Sequence, residues 1–156
     1  MPKILLAEDN PADVYLIREA LREHGVDDPV QVAPDGRHVL QLISQEAPVL
    51  DDLGLIILDL NLPLHDGVEI LQQLRATVAL AHVPVVVLTS SDSPRDRKTA
   101  SECGAVCYLR KPSSLEQFLS LGAVFKDLLR SFRFVPERQQ SGRVLQGQPK
   151  GNGNET

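Results

Sequence analysis

Polar groups that could do chemistry stand in this chain where short apolar runs end. Glu8-Asp9 follows Ile4-Leu5-Leu6-Ala7, Asp59 follows Leu55-Ile56-Ile57-Leu58, Thr89 follows Val85-Val86-Val87-Leu88, and Lys111 comes after Tyr108-Leu109. Such runs suit buried strands, and in a parallel α/β sheet the carboxyl ends of the strands share one ligand-binding rim. Three carboxylates, a hydroxyl and an ammonium at one rim suit a divalent cation and a phosphoryl group, because oxygen ligands satisfy Mg²⁺ while lysine neutralises phosphate oxygens. Asp59 is the candidate nucleophile, since a strand-end carboxylate with cationic neighbours can attack phosphorus to form an aspartyl phosphate. Asp9, with Glu8 behind it, would complete an oxygen cage for Mg²⁺ around Asp59, and Asn61, two residues on, is placed to add its backbone carbonyl. Lys111 would hold a phosphoryl oxygen as a point charge. Thr89 offers a short hydroxyl that can follow the phosphoryl group only by moving its loop, which makes it a switch element.

Each of these residues has an ordinary structural explanation when taken alone: a turn cap, a hydroxyl satisfied by backbone, a solvated lysine. Their placement after strands one, three, four and five of one regular alternation is what carries the functional reading. Lys3 to Glu8 reads as a strand, and Asn10-Pro11 as an N-cap with proline at the first helical position, opening a helix to about His24 that Gly25 ends. Val30 to Ala33 is a strand, Asp35-Gly36 a turn, and Val39, Leu42 and Ile43 mark the inner side of a second helix before a loop at Pro48 to Asp52. The Leu55–Leu58 strand precedes a helix from Asp66 to about Thr77 with Val68, Leu71 and Leu74 inward, and the Val85–Leu88 strand precedes a polar helix from Ser93 to Glu102. Ala105 to Leu109 is the fifth strand, and Ser114 caps a last helix to about Phe132. Five βα units in series predict an α/β fold with an open, doubly wound, five-stranded parallel sheet.

The last helix is apolar round more than half its circumference, through Leu115, Phe118, Leu119, Leu121, Val124, Phe125, Leu128, Leu129 and Phe132. This width points to self-association or a partner, with extra contact to the preceding strand and the chain's own tail as the alternative. From Pro136 the composition turns to Gln, Gly, Pro, Arg and Asn, so residues 1–135 are expected to form the folded unit and 136–156 a flexible tail. A net charge of −5 argues against a nucleic-acid or anionic-membrane surface. With no apolar run of membrane-spanning length and no signal-peptide core, the expectation is a soluble, cytoplasmic protein. Cys103 and Cys107 have no second pair and no histidine to complete a zinc set, and His24, His38, His65 and His82 show no ligand spacing.

Taken together, Ile4-Leu5-Leu6-Ala7-Glu8-Asp9-Asn10, Leu58-Asp59-Leu60-Asn61-Leu62-Pro63 with Asp66-Gly67, Val87-Leu88-Thr89-Ser90-Ser91 and Tyr108-Leu109-Arg110-Lys111-Pro112 resemble the receiver domain of two-component response regulators. The resemblance covers residues 3 to about 133 and implies the flavodoxin-like (βα)5 receiver fold. It implies that Asp59 accepts a phosphoryl group from a sensor histidine kinase, that Glu8 and Asp9 hold Mg²⁺, and that Lys111 binds the phosphoryl group. Thr89 and Tyr108 become the switch pair, reshaping the face made by the fourth helix, fifth strand and fifth helix. The Lys111–Pro112 bond is often cis in that family. The wording Ala7-Glu8-Asp9-Asn10-Pro11-Ala12-Asp13-Val14 is similar, more narrowly, to single-domain regulators paired with bacterial phytochromes, which implies a light-sensing kinase and a homodimer through the last helix. Leu64-His65 departs from the more usual basic residue after Pro63, and Ser90 stands where a smaller residue is common.

The resulting expectation is a phosphorylation-dependent interaction switch with an unknown downstream protein target, and not an enzyme in the metabolic sense. A phosphorelay intermediate or phosphate sink uses the same site and stays open. A Mg²⁺-dependent phosphohydrolase is disfavoured by Asn61, since such enzymes want a second acid two residues past the nucleophile. Direct DNA binding is disfavoured by the acidic charge and the absence of a helix-turn-helix pattern, and nucleotide binding by the lack of a glycine-rich loop after the first strand.

Overall fold

In a computed structural model, which describes residues 2–44 and 50–131, strands β1 (Lys3–Ala7), β2 (Val30–Ala33), β3 (Leu53–Leu58), β4 (Val85–Thr89) and β5 (Cys107–Arg110) form one parallel sheet in the order β2-β1-β3-β4-β5. Helices α1 (Pro11–Glu23), α2 (Gly36–Ile43), α3 (Gly67–Ala76), α4 (Pro94–Glu102) and α5 (Leu115–Ser131) alternate with the strands, and a single 3₁₀ turn, Val78–Leu80, follows α3. Alternate residues of the same strands feed two separate cores. Leu5, Ile56, Leu58, Val85 and Val87 face Val39 of α2, Ile70, Leu71 and Leu74 of α3, and Ala100 of α4. Ile4, Leu6, Leu55, Ile57, Val86 and Leu88 face Ile17 and Leu21 of α1 and Phe118, Phe125 and Leu129 of α5. Burial on both faces is why the three central strands read as continuous apolar runs instead of alternating ones.

Local signals act as expected at most helix ends. The Asn10 side chain accepts from Ala12 N–H at 2.9 Å with Pro11 opening α1, and Gly25 at φ +75° closes the turn behind it. Ser114 caps α5 by accepting from Gln117 N–H at 3.1 Å, and Ser93, expected as the first residue of its helix, is the cap of α4 instead. Four expectations need correction. Strand β3 begins at Leu53, two residues before the expected Leu55. Asp35-Gly36 is no free turn: Asp35 caps α2 by accepting from His38 N–H at 2.9 Å, and Gly36 is already helical. Ile70, not Val68, joins Leu71 and Leu74 on the inner side of α3, because the helix meets the sheet through a face turned toward Gly67 and Ile70. The last strand is shifted two residues at its start, to Cys107, and takes in Arg110, because Val106 N–H bonds Val85 before the ladder begins and Arg110 pairs with Thr89.

On α5, Phe118, Phe125 and Leu129 are buried and Leu121 and Leu128 pack against the same core, whereas Leu119 and Val124 are half-buried and Leu115 is 61% exposed. Phe132 and the expected tail 136–156 lie outside the described residues. Among the described residues no helix is long and apolar enough to cross a membrane. Helices α1 and α5 lie in close contact on one face, and Gly122 is where they meet: a Cβ there would overlap the Ala20 carbonyl and the His24 ring nitrogen. That ring nitrogen is itself bonded to Ala20 O at 2.9 Å. Gly122→Ala is therefore expected to destabilise the fold by about 1–3 kcal/mol despite the better helix propensity of alanine. A lower urea midpoint with an unchanged m-value checks it.

Candidate functional site

Register brings the strand-end residues together. Ala7 pairs with Leu58, so Glu8 and Asp59 leave the sheet side by side, and the Asp59 N–H bonds Ala7 O at 3.0 Å. Thr89 pairs with Arg110, so Lys111 emerges one residue beyond and its N–H bonds Thr89 O at 2.8 Å. Because β1 and β3 are neighbours while their chains run off to opposite sides of the sheet, a crevice opens between them, as at any topological switch point. The loop after Asp59 is held from below by α3. A Cβ on Gly67 would collide with the Leu60 backbone, so only glycine lets that helix begin against the loop. Further along the same loop, Leu64 adopts φ +76°, a left-handed conformation that is unusual for a branched side chain.

The centre of the site is the Lys111 ammonium, which lies 2.8 Å from Glu8 Oε1, 2.8 Å from Asp59 Oδ2 and 2.8 Å from Asp13 Oδ2. Glu8 and Asp59 are almost wholly buried, and the lysine is 11% exposed. Glu8 also accepts from Asn10 N–H at 3.1 Å, and the other Asp59 oxygen accepts from Asn61 N–H at 2.9 Å. Burial works against the ammonium, but the hydrogen bonds to Asp13, Asp59 and Glu8 outweigh it and raise its pKa, so Lys111 is a fixed positive charge. Burial pushes Glu8 up to about 7 against the opposing pull of Lys111 and Asn10, with the Asp59 charge adding to the rise.

Glu8, Asp9 and Asp59 can each bring one carboxylate oxygen within 4.8 Å of the others, and Asp9 is the exposed member. An all-oxygen, carboxylate-rich set of that size fits a hard divalent cation. Asn61, besides its backbone, directs its side-chain Nδ2 to Thr89 Oγ1 at 3.1 Å. Thr89 is fully buried, and Ser91 N–H approaches the same hydroxyl at 3.4 Å. Tyr108 is half-buried: its hydroxyl donates to Ser91 O at 3.1 Å, and the Arg97 guanidinium lies 4.6 Å from its ring centroid. No cis peptide occurs among the described residues, so Lys111–Pro112 is trans. The structure thus gathers Glu8, Asp9, Asp59, Asn61, Thr89 and Lys111 into one rim, with Tyr108 one hydrogen bond away through Ser91. It adds Asp13, to which the sequence assigned no role and which stood only within the Ala7-to-Val14 wording shared with phytochrome-paired regulators.

The profile of the response regulator receiver domain matches residues 4–121. The chain belongs to that family. Rcp1, a response regulator from a Synechocystis strain, is 34% identical over 120 residues, which is 76% of this chain and 82% of Rcp1. Against other curated relatives, such as the MprA response regulator of Mycolicibacterium vanbaalenii at 36% identity, this receiver spans about half of the relative's length (47%). The crystal structure of the phosphorylated cyanobacterial phytochrome response regulator RcpA superposes with a TM-score of 0.74 at 34% identity, covering 82% of this chain and 93% of that one. The Mn²⁺-bound form of Rcp1 gives 0.72 at 32% identity over 81% and 93%. The bacteriophytochrome response regulator AtBRR gives 0.63 at 35% identity over 82% and 92%. The receiver is therefore similar to phytochrome response regulators, and its family is one of signalling proteins.

Glu8 generates a pH prediction. Its carboxyl loses a proton near 4.5 in the absence of the fold and near 7 within it, so the metal-free folded state binds that proton more tightly. The stabilisation this gives is complete below about 4.5 and is lost as pH rises through about 7. Metal-free thermal stability should therefore carry a downward slope between about pH 4.5 and 7 that Glu8→Gln removes. Melting curves of both proteins in chelator across that range test it, and an unchanged slope in the variant would count against a raised Glu8.

Proposed function

We propose that this receiver is a phosphorylation-dependent switch that accepts a phosphoryl group on Asp59 from a phosphohistidine of a sensor histidine kinase. The observation that carries the proposal is the Lys111 ammonium 2.8 Å from Asp59 Oδ2, within a rim of acids that suits a divalent cation. In the transfer an Asp59 oxygen forms a bond to phosphorus as the phosphorus–nitrogen bond breaks, and the electron pair returns to the imidazole nitrogen. Glu8, Asp9, Asp59 and the Asn61 backbone carbonyl would hold Mg²⁺, which neutralises phosphoryl oxygens when bound. Lys111 neutralises another of these oxygens. Because Thr89 Oγ1 already accepts from Asn61 and Ser91, its own O–H is left to donate to the phosphoryl group. Drawing that hydroxyl toward Asp59 strains the Ser90-Ser91 segment, and Tyr108, bonded to Ser91 O, is the side chain placed to register the change.

The similarity to Rcp1, RcpA and AtBRR supports a phytochrome kinase as the donor, and the receiver would meet that kinase in the cytoplasm. Leu115, Leu119 and Val124, left outside the core on α5, support a homodimer through that helix. Intact mass after incubation with Mg²⁺ and acetyl phosphate should show one added phosphoryl group that requires both the metal and Asp59. An adduct that persists in Asp59→Asn, or none in the native protein without fast donor hydrolysis, would rule out the assignment. Light scattering at micromolar concentration should give a mass above one chain, and a single-chain mass would remove the dimer.

A further inference from the structure

Lys111 has three ammonium protons, and three carboxylates take them. Two of those acids, Glu8 and Asp59, belong to the trio that suits a cation, whereas the third, Asp13, does not. Asp13 reaches the lysine from α1 across 98 residues of sequence, with its own side chain 19% exposed. The first turn that carries it is stiffened by Pro11 and by the Asn10 cap, so the carboxylate is presented from a rigid element. The lysine therefore has no spare donor: binding a phosphoryl oxygen requires it to release one of its three partners.

We propose that Asp13 is a positioning residue that restrains Lys111, competing with phosphoryl oxygens for the ammonium and limiting how readily the site takes up a phosphoryl group. The inference rests on the assignment of Asp59 as phosphoacceptor. Asp59 loses its carboxylate charge when one of its oxygens becomes the bridging oxygen of the acyl phosphate, and Glu8 would share a bound cation, so Asp13 is the acid that keeps its full charge and its hold on the lysine. Charge-assisted hydrogen bonds are the strong ones, and the one from Lys111 to Asp13 is 2.8 Å long. Asparagine there keeps an acceptor oxygen and the side-chain shape but removes the charge.

The test combines a spectroscopic signature with a binding measurement. In the metal-free protein, Asp13→Asn should shift the ¹⁵Nζ resonance of Lys111. With Mg²⁺ present, the variant should bind beryllofluoride, the probe for the phosphoryl group, about three- to tenfold more tightly by ¹⁹F NMR. In a Lys111→Met background the same substitution should give no gain, since its effect runs through the lysine. Unchanged or weaker beryllofluoride binding in Asp13→Asn, or an equal gain without Lys111, would overturn the proposal. If native protein and variant both fail to bind beryllofluoride while the Lys111 resonance still shifts, the phosphoacceptor assignment is what has failed, and the role of Asp13 falls with it.

Discussion

One ammonium among three carboxylates organises the functional end of this molecule. Acids from β1, α1 and β3 would repel one another at the close spacing that the sheet imposes, and Lys111 from the end of β5 is the counter-charge that lets them coexist. Such a cluster is poor evidence for stability in itself, because taking these charges out of water costs about as much as their attraction returns. Its effect is to specify geometry: four separate segments of chain must arrive together or leave a buried charge without a partner.

The scaffold meets that demand through sheet register. Ala7 opposite Leu58 and Thr89 opposite Arg110 set the order in which the polar residues leave the strands. Apolar burial on both faces prevents the strands from slipping, since a one-residue shift would exchange the two cores. Gly67 and Gly122 perform the corresponding task for the helices, allowing α3 to begin against the Asp59 loop and α5 to approach α1.

From the charged centre a chain of polar contacts leads outward. Asn61 holds Thr89, Ser91 lies between Thr89 and Tyr108, and Arg97 of α4 covers the tyrosine ring. Helix α4 contributes little to the core beyond Ala100, so the element at the end of this chain is held by few apolar contacts. A weakly anchored helix tied to this chain by the Arg97–Tyr108 ring contact and by the Ser91 Oγ hydrogen bond to Asp96 would be the element to move in such a switch, because shifting it sacrifices little buried surface.

The five βα units, the caps at Asn10, Gly25 and Ser114 and the convergence of Glu8, Asp9, Asp59, Thr89 and Lys111 were legible in the sequence. Strand burial, capping and strand-end polarity are local signals, and parallel connections leave only one rim for the ends to share. Tertiary contact decided the rest. Periodicity alone could not set the rotation of α3, which turns Ile70 inward in place of Val68. The start of α2 at Gly36 depends on an Asp35 side chain that serves a turn or a cap equally well until the helix is seated. Asp13 and Lys111 stand 98 residues apart, and the Asn61–Thr89 bond spans 28. Pairings of that kind exist only once helix and sheet have docked, since no local rule says which face of a helix's first turn will meet which strand end.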